Sequence, residues 1–404
     1  MTQTEQALPS SRADVNLLYA ARGLRGFGDG FAVILLPAYL SAIGYDTIGI
    51  GIVAAASLLG SAVLTLAVGL LAPRHDLRKL LLLAAALMAA TGLAFPAFAH
   101  IVFIAAVAFI GTINPSAGDI GVFVPLEHAM LARGVPDRER TAVFARYSLI
   151  GALSAAAGAL AAAAPDFLGS VGIGEIAAFR LMFLAYAGLG LIAAMLYRRL
   201  PRSQIGETRH SAPLGPSRAV VYRLAALFSL DAFAGGFIVQ SLLALWLFQR
   251  FELSLSAAAS FFFWSSVLSA FSYPVAARLA KRVGLVNTMV YTHIPSSICL
   301  ILAAFAPSLG TVMALLLVRS ALSQMDVPTR TAYVMAAVTP AERPAAASFT
   351  AVPRSLAGAL SPTLGGMLFA AGWIAAPLVA CGVLKICYDL ALWRSSRGDM
   401  LEDR

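Results

Sequence analysis

The sequence predicts an all-α integral membrane protein with twelve transmembrane helices in two pseudo-symmetric six-helix bundles. Three observations lead there. Of 404 residues, 60% are hydrophobic and only 12% charged, with a mean hydropathy of +0.83, a composition suited to a bilayer. Apolar runs of about 20 residues, the length a helix needs to cross hydrocarbon, recur along the whole chain with short breaks. Finally, short motifs recur between the two halves at nearly constant spacing.

The expected spans are 15–43, 47–71, 78–99, 101–131, 141–164 and 175–198, then 219–249, 255–279, 284–306, 308–338, 344–370 and 373–394. The opening "MTQTEQALPSSRADVN" is a polar tail without the apolar stretch and small-residue cleavage site of a signal peptide, so span one is expected to be retained. Between spans six and seven lies "RRLPRSQIGETRHSAPLGPSR", basic and rich in Pro, Gly and Ser, the only domain-sized linker. The organisation is therefore a cytoplasmic tail at 1–14, a six-helix bundle at 15–198, a cytoplasmic linker at 199–218, a second bundle at 219–394 and a cytoplasmic tail at 395–404.

Positive loops stay in the cytoplasm. With the N-terminus inside, the inner breaks hold Arg74, Arg78 and Lys79, then Arg133, Arg138 and Arg140, the linker, Lys281 with Arg282, and Arg343. The outer breaks, near Gly44, His100, Asp166, Arg250, Pro307 and Gly372, hold one Arg among them. Both termini are expected in the cytoplasm. This bias accounts for the net charge of +9 without a nucleic-acid partner. Cys299, Cys381 and Cys387 fall inside spans, show no metal-type spacing and are expected as core residues without disulfides.

The repeat is legible in three places. "GLLAPRHDLRK" from Gly69 matches "ARLAKRVG" from Ala277, "PDRER" from Pro136 matches "PAER" from Pro340, and "GALSAAAG" from Gly151 matches "GALSPTLG" from Gly358. The offsets are 277−69=208, 340−136=204 and 358−151=207. Asp231 follows Asp29 by 231−29=202, at a comparable depth in span seven.

A 6+6 arrangement with a central cytoplasmic linker and a basic second break resembles the major facilitator superfamily. That family's break follows G-x-L-A-D-R-x-G-R-K, and Gly69, Leu71, Ala72, Arg74, Arg78 and Lys79 resemble it. Pro73 stands at the Asp position, Asp76 at the second Gly, and one extra residue precedes the basic pair. The segments from Ser323 and from Pro115 resemble a bacterial branch of drug and metabolite permeases. The resemblance implies that spans one, four, seven and ten line a central cavity and that loop salt bridges close the inner side. The Gly/Pro-rich antiporter signature is absent from span five, although "GALSPTLGG" in span eleven has a similar shape.

An ionisable residue near mid-bilayer costs roughly 2.5–3.5 kcal/mol on insertion scales, so it is expected to face water or a partner. Asp29, Asp119, Asp231 and Asp326 fall on the four cavity spans and are the candidates for proton coupling. Arg25, one turn before Asp29, is the expected structural partner if Asp29 only neutralises a charge. Glu127, close in sequence to the basic loop, is expected as a gate together with Arg74, Arg133, Arg140, Arg146, Arg330 and Arg354. Arg330 can pair with Asp326 one turn away, across a helix break expected at Pro328. Tyr39, Gln240, Trp246 and Gln324 are candidate cavity contacts, with helix packing the competing assignment. Gly26, Gly28 and Gly30 read as close helix packing.

The function expected is a secondary transporter in the bacterial inner membrane that moves a small organic molecule, coupled to protons, with efflux favoured over import and the protein a monomer. No cofactor and no metal are expected. The alternatives are a metal-ion carrier using Asp29, Asp231 and Asp326 as hard oxygen ligands, and a membrane enzyme or sensor. HExxH, GxSxG, P-loop and CxxC motifs are all missing from the sequence, which argues against an enzyme. The orientation is directly testable. A cysteine at Ser203 should react with an impermeant label only after the inner membrane is opened, and one at Ser170 in intact cells; the reverse pattern would reject it.

Overall fold

A bilayer offers no water to unpaired backbone groups, so the chain must satisfy them internally, and helices do so within one segment. The structure, a computed structural model, describes residues 12–71, 75–114, 121–134, 137–201, 215–339 and 342–402. Among them there is no strand. The helices are α1 (Arg12–Ala42), α2 (Thr47–Leu71), α3 (Leu77–Ala97), α4 (Ile101–Ile110), α5 (Phe123–Gly134), α6 (Asp137–Ala161), α7 (Ala164–Ser170) and α8 (Glu175–Tyr197) in the first half. The second half holds α9 (Arg218–Gly236), α10 (Gln240–Phe251), α11 (Leu255–Val283), α12 (Leu285–Phe305), α13 (Leu309–Ser323), α14 (Asp326–Ala336), α15 (Arg343–Ala370) and α16 (Ala376–Glu402).

Three expected spans are each two helices: span four is α4 and α5, span seven is α9 and α10, and span ten is α13 and α14. The break in span ten falls at Gln324 and Met325, not at Pro328 as expected. Pro328 lies in the first turn of α14, where its missing N–H leaves no helical bond unmade. Span twelve runs on as helix to Glu402, eight residues beyond the expected boundary at 394 (402−394=8). Eight described segments are long and apolar enough to cross a membrane. Spans one, four, ten and eleven are not among them. Spans one, ten and eleven carry arginines inside, whereas span four is broken and its apolar helix α4 is only 10 residues long.

Side-chain caps set several helix starts. Asp76, at the expected second Gly of the basic break, accepts from Arg78 N at 3.0 Å and opens α3, while Ser254 opens α11 by accepting from Ala257 N at 3.2 Å. The loop carboxylate Glu342 accepts from Thr339 Oγ1 at 2.6 Å, Gly215 N at 2.6 Å and Ser217 Oγ at 2.8 Å. These bonds hold its carboxyl down at about 2, so it stays charged above that pH and ties the entry of span seven to the loop before span eleven. Cys387 is exposed, contrary to expectation, while Cys381 is buried; all three cysteines are free.

The halves meet through α2 on α15, α6 on α11 and α1 on α10. Thr47 Oγ1 donates to Gly366 O at 3.1 Å, and Ser256 Oγ donates to Asp166 at 2.6 Å. Both contacts lie at the end of the molecule carrying the loops 43–46, 252–254 and 371–375, away from the termini. Approach here is backbone to backbone: a Cβ at Gly51 would stand 2.7 Å from Pro362 O. Within the first half, a Cβ at Gly30 would stand 2.1 Å from Ala155 O, which explains the glycine pattern of span one as close packing. Gly51→Val should therefore force α2 off α15, cost about 1–3 kcal/mol and separate spin labels placed at Ser41 and Trp373. An unchanged distance would show that this seal does not depend on the glycine.

Candidate functional site

Between the halves lies a cavity of roughly 380 Å³, walled by spans one to five and seven, eight, ten, eleven and twelve. Its size is that of a small-molecule site. Asp29 and Asp231 both line it, one from each half, as do Gln240 and Gln324. Tyr39 and Trp246 do not. Tyr39 is core, its ring packed on Phe179 and Phe183 with centroids 6.1 and 5.2 Å away, and Trp246 is fully buried against Phe251 at 5.9 Å. Their large rings fill helix-helix contacts, so packing is the assignment for both. Asp119 and Arg74 lie outside the described residues, as do the side chains of Arg133 and Arg140.

Two networks of buried charge stand around this cavity. In the first half, Arg25 of α1 donates through Nη2 to Glu127 Oε2 and through Nε to Tyr197 OH at 3.1 Å. Tyr197 OH donates to Glu127 Oε1 at 2.6 Å, and Tyr147 OH donates to Glu127 Oε2. The Arg25 guanidinium also lies 4.1 Å from the Phe123 ring centroid. This corrects one expectation: Arg25 pairs with Glu127, not with Asp29, because its side chain reaches across to α5. Glu127 is fully buried, with its carboxylate met by Arg25 and two phenols inside the bundle. Asp29 is half-buried and accepts from Tyr186 OH at 3.3 Å.

In the second half, Asp231 of α9 is the hub. Its Oδ2 accepts from Arg330 Nη1 at 3.1 Å and its Oδ1 from Lys385 Nζ at 2.6 Å. The same Arg330 Nη1 donates to Asp326 Oδ2 at 2.9 Å, so the expected i, i+4 pair exists and carries a third member. Behind them, Lys385 Nζ lies 3.3 Å from His293 Nε2, and His293 Nδ1 lies 3.0 Å from Asp389 Oδ2. An ammonium only donates, so Nε2 is the acceptor and Nδ1 carries the proton given to Asp389. Asp326 and Arg330 stand behind the cavity wall, with Arg330 5.7 Å from the Phe228 ring. Among the described residues no three acidic, His or Cys side chains converge as a metal site; the oxygens of Asp231 face cations of the protein's own.

Arg146 and Arg354 separate in space. Arg354 lines the cavity, while Arg146 is exposed on α6. In the register of the GALS motifs, 358−151=207, Arg354 answers to Tyr147 and not to Arg146 (354−147=207). One residue turns a helix by about 100°, enough to carry a side chain from the cavity to the outside.

Sequence reasoning missed Arg22, Arg319, Lys385, His293 and Asp389. Each is an ionisable group within an apolar run, the same signal that marked Asp29 and Asp231.

A family model, Major Facilitator Superfamily, matches residues 18–318 and 224–399. The chain belongs to this superfamily of transporters: it is a multi-pass membrane protein whose fold and family are those of secondary carriers of small molecules. It is similar to an uncharacterized membrane protein of Saccharomyces cerevisiae, 23% identical over 416 residues and covering 94% of this chain and 93% of that one. Among solved structures it resembles the nucleoside transporter NupG, at 12% identity and a TM-score of 0.73, covering 94% of this chain and 98% of that one. It also resembles the inward-open xylose transporter XylE of E. coli, at 16% identity and a TM-score of 0.72, covering 94% and 95%. At such identities the structural likenesses establish the fold.

Breaking one side of a buried ion pair costs about 3–5 kcal/mol, while removing both charges costs less. Arg25→Met, which strands Glu127, is expected to lose about that much stability in thermal unfolding of the purified protein. The double variant Arg25→Met, Glu127→Gln should lose clearly less than the sum of the two single changes. Additive losses would show the pair to be uncoupled.

Proposed function

We propose that this protein is a proton-coupled secondary transporter of the bacterial inner membrane, moving a small organic molecule by alternating access, with export favoured over import. The observation that carries this is a cavity walled by both halves, with Asp29 and Asp231 each contributing a carboxylate to it. Rocking of two bundles about such a site exposes it to one side at a time. With both termini in the cytoplasm, the seal between α2 and α15 closes the outer side, and the state described is inward-facing. The carrier acts as a monomer and needs no cofactor.

The two carboxylates divide the work. Asp231 is held by Lys385 and Arg330 and works as an ion-pair hub whose partners exchange as the halves move. Asp29 has a neutral phenol as its hydrogen-bond partner, and among the described residues no cation lies within ion-pair distance of it. A half-buried carboxylate on the cavity wall with no salt bridge is the group suited to take up and release a proton. Arg22 and Arg25 on its own helix and Tyr186 on α8 supply the field it feels. Glu127 and the arginines of the inner loops serve the closing of the inner side.

The test begins with a toxicity and metabolite screen of a deletion strain to find a cargo, followed by uptake into proteoliposomes with and without a pH gradient. Asp29→Asn is expected to reduce gradient-driven accumulation at least tenfold while leaving exchange at equal concentrations. Full driven transport in Asp29→Asn would overturn its coupling role.

A further inference from the structure

Among the described residues the charges on the cavity wall do not balance: Arg22, Arg25, Arg319, Arg354 and Lys385 line it, against Asp29 and Asp231. Arg25 is answered by Glu127 behind the wall, and Lys385 by Asp231. Arg319 of α13 and Arg354 of α15 are not answered: among the described residues no carboxylate lies within ion-pair distance of either guanidinium. The Nε of Arg354 is shielded from water and has no hydrogen-bond partner. A half-buried guanidinium that faces a cavity without a carboxylate partner leaves its donors free for an anionic ligand. Lys385 Nζ, with bonds to Asp231 and His293, still has a third N–H to give.

The rest of the wall is mixed, the first half also bringing Thr112, Asn114 and Ser148 and the second Ile238, Val239, Leu243 and Phe262, but hydroxyls and amides concentrate in the second half. The second half adds hydroxyls and amides: Ser265, Ser269, Ser320, Ser323, Gln240 and Gln324. Ser265 and Ser320 lie 2.7 Å apart across α11 and α13, and the Ser269 hydroxyl donates to Ser320 O at 3.1 Å, which fixes this face. The first half adds a smooth apolar face of Gly30, Val33, Leu58, Met88, Ala155 and Ala159. A ligand completing both must carry a negative head and an apolar body.

We propose that the cargo is an amphipathic organic carboxylate, its head held at the second half by Arg354, Arg319 and the spare donor of Lys385, and its body laid on the apolar wall of the first half. This rests on the transport reading above and specifies its substrate class. Guanidinium suits the task because its planar donors match a carboxylate two at a time.

The probes are three molecules of one skeleton: 4-phenylbutyrate, 4-phenylbutanamide and 4-phenylbutylamine. Equilibrium binding and thermal stabilisation are measured on the purified full chain, and counterflow in proteoliposomes. The carboxylate is expected to bind at least tenfold more tightly than the amide, and the amine least. Arg354→Gln should lower carboxylate affinity roughly tenfold or more without changing amide affinity, and Arg354→Lys should restore part of it. If Arg354→Gln lowers the melting temperature without ligand, Arg319→Gln supplies the same comparison. Equal binding of the three probes, preference for the amine, absence of carboxylate binding, or an unchanged affinity in both glutamine variants would overturn the anion site. The transport reading is judged separately. In a background lacking the three native cysteines, labelling of Ser269→Cys from either side of the membrane reports alternating exposure whatever the cargo. Its failure would sink transport itself, whereas amine counterflow would sink only the anion.

Discussion

Each half of this protein holds one buried ion pair between its first and fourth spans, and the polarity of the pair is reversed. Arg25 on span one meets Glu127 on span four, while Asp231 on span seven meets Arg330 on span ten. A lone charge at this depth would cost several kcal/mol, so each of these residues constrains where its partner's helix must lie. The broken spans follow from the same requirement. Span four restarts at Phe123 and span ten at Asp326, and the restarted helices α5 and α14 carry Glu127 and Arg330 to their partners.

The pairs are not equally saturated. Glu127 receives a guanidinium and two phenols, a closed arrangement in which no lone pair faces the cavity. Asp231 shares Arg330 with Asp326 and Lys385 with His293, which in turn meets Asp389, so charge can be redistributed among six side chains without a bare ion appearing in the wall. A network in which each donor has a second acceptor within reach is the kind of element that can settle in two arrangements. The first half resembles a rigid clamp and the second a set of exchangeable contacts. The uncompensated guanidinium groups also lie in the second half.

Packing explains why such polar groups can be carried at all. Glycines at the crossings of α1 with α6 and of α2 with α15 bring backbones into contact, which buries helix surface by dispersion where lipid offers no hydrophobic gain. Gly151 serves the site directly: a Cβ there would stand 2.2 Å from Arg22 Nε, so its absence makes room for the guanidinium beside the cavity.

The sequence by itself determined the membrane environment, the helical class, the 6+6 repeat and the assignment of Asp29 and Asp231 to the cavity, because hydropathy and the cost of burying charge are properties of the local chain. The same logic applied to every apolar run would have marked Arg22, Arg319 and Lys385, whose signal was present and passed over. Which charge meets which was decided only by the tertiary structure. Arg25 and Asp29 are one turn apart and do not pair, whereas Arg25 and Glu127 are 102 residues apart and do. Likewise the repeat sets Arg354 against Tyr147, one position from Arg146, and the facing of each side chain rests on that position. Spacing along a helix limits what a residue can reach on its own segment. Across segments, the reach of a long side chain and the rotation of each helix about its axis set the contact, and both are fixed by how neighbouring helices pack.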